Sequence, residues 1–215
     1  MRFVDLSHPI EEEMPLYPGT PSVKIHDLYR FELHGYREKQ ITFTTHTGTH
    51  VDAPAHMLAN GVTLDRIALN KFYGPATVLD VRDFVGKEIP VDFLQATYRQ
   101  WQHVDFILLY SGYDRFWGNK EYFKAYPVLS IKAADFLMTK GKLKGLGSDT
   151  ISPDVMDSAD YPIHHRLMSG GCLIIENLTH LGSLVDRMFT LSVFPLSIRN
   201  ADGLPVRAVA LADEM

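Results

Sequence analysis

The 215-residue sequence holds a single cysteine, Cys172. A lone thiol forms no internal disulfide and cannot build a thiolate zinc cage, which excludes a disulfide-stapled scaffold and fits a reducing compartment. Long apolar runs are missing as well. Nowhere do 18 apolar residues follow one another, and the opening MRFVDLSHPIEEEM turns acidic before a stretch of signal-peptide length develops. The chain therefore reads as soluble and cytoplasmic, with no membrane partner. Basic residues are not concentrated anywhere: 21 Lys and Arg stand against 26 Asp and Glu, a formal net charge of -5, so the electrostatic footprint of a nucleic-acid binder is absent. No Gly-x-Ser-x-Gly elbow occurs, and Ser111, Ser148 and Ser169 lack that context, which argues against a serine hydrolase. Internal repeats, low-complexity tracts and Pro/Gly/Ser linkers are missing too, so one domain over residues 1–215 is expected.

What is present is an ordinary folding composition, 46% hydrophobic and 22% charged, in a chain long enough to bury a sizeable core. Enrichment in β-branched and apolar residues between turn residues predicts strands over 23–26, 40–45, 76–81, 106–110, 172–176, 189–194 and 206–211. Helices are expected over 91–98, 121–126 and 131–140, the last following Ser130 as N-cap and stopping at Gly141. The class is mixed α and β. The stretch VDFILLYSG at 104–112 is nearly all apolar at its centre, as a mid-sheet strand covered on both faces should be. Pro15, Pro18 and Pro21 surround Gly19 in an early segment that cannot continue a ladder, which makes it a rim or lid.

Ten histidines contrast with the one cysteine, and their spacing carries the chemistry. Residues 46–56 read His46-Thr47-Gly48-Thr49-His50-Val51-Asp52-Ala53-Pro54-Ala55-His56. Thr, Gly, Val and Pro make a helix improbable here, and the β-branched residues before it bring the chain in as a strand. Positions of one parity then share a face, but His46 and His50 would stand roughly 13 Å apart at ~3.3 Å per residue. A bend at Gly48 would fold His46 back and give N, N and O ligands to one divalent ion, with a position left open for water. His56 follows Pro54, which redirects the chain, so it reads as a proton-transfer group beside the metal rather than a ligand.

A second cluster lies at 163–177, IHHRLMSGGCLIIEN, where a short helix ends at Gly170-Gly171 and an apolar strand delivers Glu176. A carboxylate at the end of a buried strand is costly unless it meets a cation. His164 and His165 are adjacent, so at most one of them faces a given site. Two ions bridged by Asp52, the second completed by Glu176 and a histidine of this pair, would explain both clusters with one pocket. Tyr17, Phe31, Tyr113 and Trp117 are candidates for an apolar wall. Cys172, beginning an apolar strand, reads as a small buried hydrophobe rather than a nucleophile. Asp149 and Arg207 read as structural or ligand-orienting partners, and His8 as either a pocket residue or a turn cap.

With these residues in view, the chain resembles the cyclase family of metal-dependent hydrolases, which includes the bacterial kynurenine formamidases. Its H-x-G-T-H-x-D-x-P-x-H signature matches 46–56 throughout, and the likeness continues in Asp5-Leu6-Ser7-His8-Pro9-Ile10, in 111–118, in Gly147-Ser148-Asp149 and in 202–207. The resemblance implies that His46, His50 and Asp52 hold one metal. Asp52 would bridge to a second ion held by His164 and Glu176, and His56 would be the general acid/base. His164 rather than His165 is indicated because the family's histidine stands twelve residues before its glutamate. Also implied are a swivelling β/β/α domain with a barrel-like sheet and flanking helices, two zinc ions per chain with manganese as the alternative, a small-molecule substrate, and a homodimer or higher homo-oligomer. The expected activity is hydrolysis of a non-peptide C–N bond in a formamide or amide, as in tryptophan catabolism. A cyclic amide or lactone substrate and a non-catalytic metal-binding module are the rival readings. The kynurenine-specific members carry Trp and Gly-Asp-Thr-Pro in the early loop, where this chain has Tyr17 and Gly19-Thr20-Pro21.

Overall fold

The fold is that of a computed structural model, which describes residues 1–140 and 142–213. The described strands are β1 (Arg2–Asp5), β2 (Lys24–Tyr29), β3 (Glu38–Thr42), β4 (His50–Asp52), β5 (Tyr73–Asp80), β6 (Glu88–Ile89), β7 (Phe106–Tyr110), β8 (Val128–Leu129), β9 (Gly145–Ser148), β10 (Leu173–Glu176), β11 (Met188–Ser192), β12 (Gly203–Pro205) and β13 (Val209–Ala212). The helices are α1 (Phe31–His34), α2 (Val91–Ala96), α3 (Tyr98–Trp101), α4 (Ile131–Lys140) and α5 (Pro162–Ser169). None of them is long and apolar enough to cross a membrane.

Nine strands make one sheet in the order β1-β13-β11-β5-β7-β9-β10-β4-β12. Its centre, β5, β7, β9 and β10, is parallel, and antiparallel strands flank it on both sides. The apolar strand at 106–110 lies mid-sheet as expected. Phe106 and Leu108 face one core cluster with Ala76, Val78 and Leu178, while Ile107 and Leu109 face another with Leu137 and Leu167 from α4 and α5. One expected strand, 206–211, is instead divided. β12 ends at Pro205 on one edge of the sheet, and β13 begins at Val209 beside the opposite edge strand, β1. Three connecting residues span at most about 13 Å fully extended, so the two edges must approach each other and the sheet must curl into a barrel-like form. Leu6 N donates to Ala208 O (2.9 Å) and Val206 N to Thr49 O (2.9 Å) along that seam.

The expected helix 131–140 is present with Ser130 Oγ accepting from Ala133 N at 3.2 Å, while its predicted stop, Gly141, lies outside the described residues. The helix expected over 91–98 ends at Ala96, where Thr97 Oγ1 bonds back to Phe93 O (2.9 Å), and restarts as α3. The segment 121–126 forms only a 3₁₀ turn, Lys120–Phe123, and Ala125 then adopts a left-handed φ of 54°. Among the described residues β2 and β3 pair only with each other, and they form an exposed hairpin.

Candidate metal centre

The chain does not enter the signature as a strand. Residues 45–49 bend, with Gly48 at φ +62°, and only His50–Asp52 is extended. The bend carries His46 back so that its ring meets that of His50 edge to face at 5.2 Å. β4 sends His50 and Asp52 to one buried face, and its pairing with β10 sets Glu176 directly opposite His50. α5, packed against β10, adds His164, which is buried, whereas the adjacent His165 is exposed. Pro54–His56 is a 3₁₀ turn that swings His56 over His46, with ring centroids 3.9 Å apart.

Asp52 stands at the junction of two groups, His46/His50/Asp52 and Asp52/His164/Glu176, whose potential ligand atoms lie within 4.8 Å of one another in each group. Asp52 Oδ1 is 2.7 Å from His46 Nδ1 and 3.2 Å from His50 Nε2. Glu176 reaches His50 Nε2 with one oxygen and His164 Nε2 with the other, both at 3.3 Å. Each imidazole has its remaining nitrogen fixed. His46 Nε2 meets Asp202 Oδ2 at 2.9 Å, His50 Nδ1 donates to Gly48 O at 2.8 Å, and His164 Nδ1 meets Asp154 Oδ2 at 2.7 Å. Such outer partners decide which nitrogen is free to bind a cation. Two buried atoms at the centre, His50 Nε2 and Asp52 Oδ2, have no hydrogen-bond partner. Orphaned polar atoms are costly in a buried site, and a cation among them would satisfy both. Imidazole nitrogen with carboxylate oxygen is a donor set that suits zinc or manganese, so these residues fit a divalent metal.

The electrostatics follow the same geometry. Burial opposes charge on His50, but Asp52 and Glu176 outweigh it and hold the imidazole well above its ordinary pKa. His46 is raised for the same reason by Asp52 and Asp202 against its burial, and His164 by Asp154 and Glu176 to about 10. Burial alone would raise Asp52, yet the attraction of His50 and His46 holds it well below the usual carboxylate range. His56 behaves differently: burial, and repulsion from His46 and His164, lower it despite Asp52 and Glu176.

The centre floors a cavity of about 540 Å³ whose rim is the proline-rich segment, from Pro15 to Pro21. Tyr17 belongs to this wall with Met57, Ile151 and Tyr161, and its hydroxyl donates to Met156 O at 3.1 Å. The other aromatic candidates do not line it. Phe31 is exposed on the hairpin because α1 has no core beneath it, Tyr113 packs among Phe116 and Tyr126, and Trp117 stacks on His8 at 3.8 Å. His8 is therefore a packing residue beside the site. Asp149 accepts from Ser111 N and Oγ, Gly112 N and Tyr113 N and touches no candidate ligand; Arg207 pairs with Asp5 at the surface. Cys172 is buried, and desolvation pushes its thiol up to about 12, far from a nucleophile's range.

Sequence reasoning gave no role to Asp154, Asp202 or Asn177. Asp154 also accepts from Ile163 N and His164 N, capping the first turn of α5. Asn177 Nδ2 donates to Gly48 O at 2.8 Å, the carbonyl that holds His50. The one available signal for Asn177 is its place directly after Glu176; Asp154 stands ten residues before His164 and Asp202 stands 156 residues after His46.

A family model described as "Putative cyclase" matches residues 4–155. The chain is 34% identical over 208 residues to the kynurenine formamidase of Geobacillus thermodenitrificans (strain NG80-2), covering 96% of this chain and 95% of that one. It is 31% identical over 219 residues to the kynurenine formamidase of Bacillus cytotoxicus, covering 96% of each. Among solved structures, isatin hydrolase A from Ralstonia solanacearum superposes with a TM-score of 0.89 at 26% identity, covering 99% of this chain and 92% of that one. A potential metal-dependent hydrolase with cyclase activity superposes at 0.81 with 27% identity, covering 100% and 99%. Because the family match spans most of the sequence and the relatives run along nearly all of it, the chain belongs to the Cyclase family.

Proposed function

We propose that the protein is a metal-dependent hydrolase of amide C–N bonds, with aryl formamides as its substrate class, and that one catalytic domain spans residues 1–215. The observation that carries this reading is the meeting of three imidazoles and two carboxylates, with two orphaned buried atoms, at the floor of an open cavity. His46, His50 and Asp52 would hold one ion, and Asp52, His164 and Glu176 a second. Zinc is the expected metal and manganese the alternative. Divalent ions held there would supply a water that ionises near neutral pH and positive charge for a carbonyl oxygen. His56 is placed to move the proton: its neutral imidazole would take a proton from the attacking water as the carbonyl gains the water's oxygen, and would deliver it to the leaving nitrogen as the C–N bond breaks. Relatives named kynurenine formamidase support the formamide substrate and a place in tryptophan catabolism. The fold of isatin hydrolase A supports a second reading, opening of a cyclic amide by the same machinery. A purely structural metal site is disfavoured, because such sites are closed and this one opens on a cavity.

We take the protein to act in the cytoplasm as a homodimer. The β2–β3 hairpin exposes Leu28, Phe31, Leu33, Tyr36 and Ile41, and an isolated two-stranded ribbon is marginal in water without a partner surface. Light scattering should give twice the 24.4 kDa chain mass, and a monomer at micromolar concentration would refute this. The activity is tested with N-formylkynurenine, formanilide and isatin on the wild type, a chelated sample and His50→Ala. Both treatments should abolish hydrolysis, with elemental analysis naming the ion, and activity surviving both would end the metal reading.

A further inference from the structure

We propose that Asp202 is a positioning residue that hydrogen-bonds His46 and biases His56 by its charge through the same carboxylate oxygen, and so sets which nitrogen of each ring faces the reacting centre. The inference rests on the metal-dependent reading above. Asp202 Oδ2 lies 2.9 Å from His46 Nε2 and 3.5 Å from His56 Nδ1. The backbone sets it there. Asp202 O accepts from Ala53 N at 2.8 Å, and the next residue, Gly203, pairs with Asp52 across β12 and β4. A Cβ on Gly203 would fall 2.4 Å from His46 Cε1, so the His46 ring lies directly on this stretch of backbone, with the His56 ring 3.9 Å from its own.

One oxygen thereby governs two tautomers. A neutral His46 that presents Nδ1 toward Asp52 carries its proton on Nε2, which is the atom Asp202 meets. His56 Nδ1 lies 3.5 Å from the same oxygen, too far for a good hydrogen bond, so there the carboxylate acts through its charge, favouring the Nδ1–H form whose Nε2 lone pair is free to accept a proton. The metal ligand and the acid/base group thus share a partner, so a change at Asp202 reaches the proton-transfer step as well as the ion.

The test compares wild type, Asp202→Asn and Asp202→Ala, each as the full chain loaded with zinc. Histidine ring ¹⁵N shifts report the tautomer without substrate, and kcat and KM are measured on whichever amide the wild type turns over. The wild type should show His56 as the Nδ1–H form, and Asp202→Ala should shift it toward the Nε2–H form. In that variant kcat should fall about 10- to 100-fold while KM moves less than about 2-fold, at unchanged zinc stoichiometry under saturating metal. Asp202→Asn, nearly isosteric, should show the same changes in smaller measure and serves if the alanine variant does not fold. An unchanged His56 tautomer would overturn the proposal. So would a loss confined to zinc content with kcat per loaded site intact, or a zinc ion bound by His46, His56 and Asp202 themselves. If the wild type hydrolyses no amide, the functional reading falls while the ring shifts still decide the role of Asp202.

Discussion

His50 is fixed from behind by a chain of buried polar contacts. Its Nδ1 donates to Gly48 O, that carbonyl also accepts from Asn177 Nδ2, and Asn177 Oδ1 accepts from the Tyr122 hydroxyl at 2.7 Å. These bonds hold the ring in one orientation, so the orphaned Nε2 points at the carboxylates of Asp52 and Glu176. Behind His56 stands the Asp202 carboxylate, 3.5 Å from its Nδ1, in place of a buried hydrogen-bond chain. It sits half-buried on the cavity wall, and its lowered pKa, set by burial and two neighbouring histidines, leaves the ring neutral near pH 7 and able to exchange a proton. His56→Ala should therefore keep its metal and lose roughly 10²-fold or more in kcat. Elemental analysis beside steady-state kinetics checks both halves, and metal loss in this variant would make His56 a ligand instead.

At the scale of elements, the site depends on how α5 begins. Tyr161, the residue before its first turn, makes no capping side-chain bond and takes a left-handed φ of 43°. The cap comes instead from Asp154, whose two oxygens accept from Ile163 N, His164 N and His164 Nδ1. One carboxylate thus starts the helix and aims its histidine. Asp154→Ala should cost about 1 kcal/mol of stability as a lost cap and weaken metal binding about 10- to 100-fold; Asp154→Asn, which keeps an acceptor, should recover most of both. Metal titration and thermal melts of the two variants decide, and an alanine variant with wild-type affinity would separate the cap from the site. The same element explains what was legible in the sequence. His46, His50, Asp52 and His56 fall within eleven residues and Glu176 closes an apolar strand, so their types and spacing announce them. Asp154 holds His164 and Asp202 holds His46, both from loops; Asp202 opens the 202–207 stretch of the family likeness, but nothing local to either aspartate names the histidine it meets. β9 carries no signal because Gly145, Leu146, Gly147 and Ser148 include no β-branched residue, whereas the extended reading of the signature holds for His50–Asp52, whose two ligand-type side chains share a face.

At the scale of the whole molecule, closure of the sheet was illegible because it depends on which edges three residues join, and strand order is not written in local periodicity. Beside the seam between the sheet edges sits His8, which links closure to pH. His8 N donates to Thr49 Oγ1 at 2.9 Å, its ring stacks on Trp117, and its Nε2 is buried with no partner. Burial lowers its pKa to about 4, Asp114 pulling the other way and His180 adding to the fall. In the unfolded chain the same ring takes a proton near 6.5. The folded protein binds that proton less readily, so this residue's contribution to stability is complete above pH 6.5, declines as pH falls toward about 4, and is flat below. Discounted for the solvent that the half-buried ring still meets, the loss is on the order of 1–2 kcal/mol. His8→Phe keeps a ring on Trp117, removes the titration and relieves the orphaned nitrogen. Its melting temperature should match or exceed the wild type at pH 7 and fall less steeply between pH 6.5 and 4, and parallel stability curves for the two proteins would show that His8 is not buried neutral in the fold.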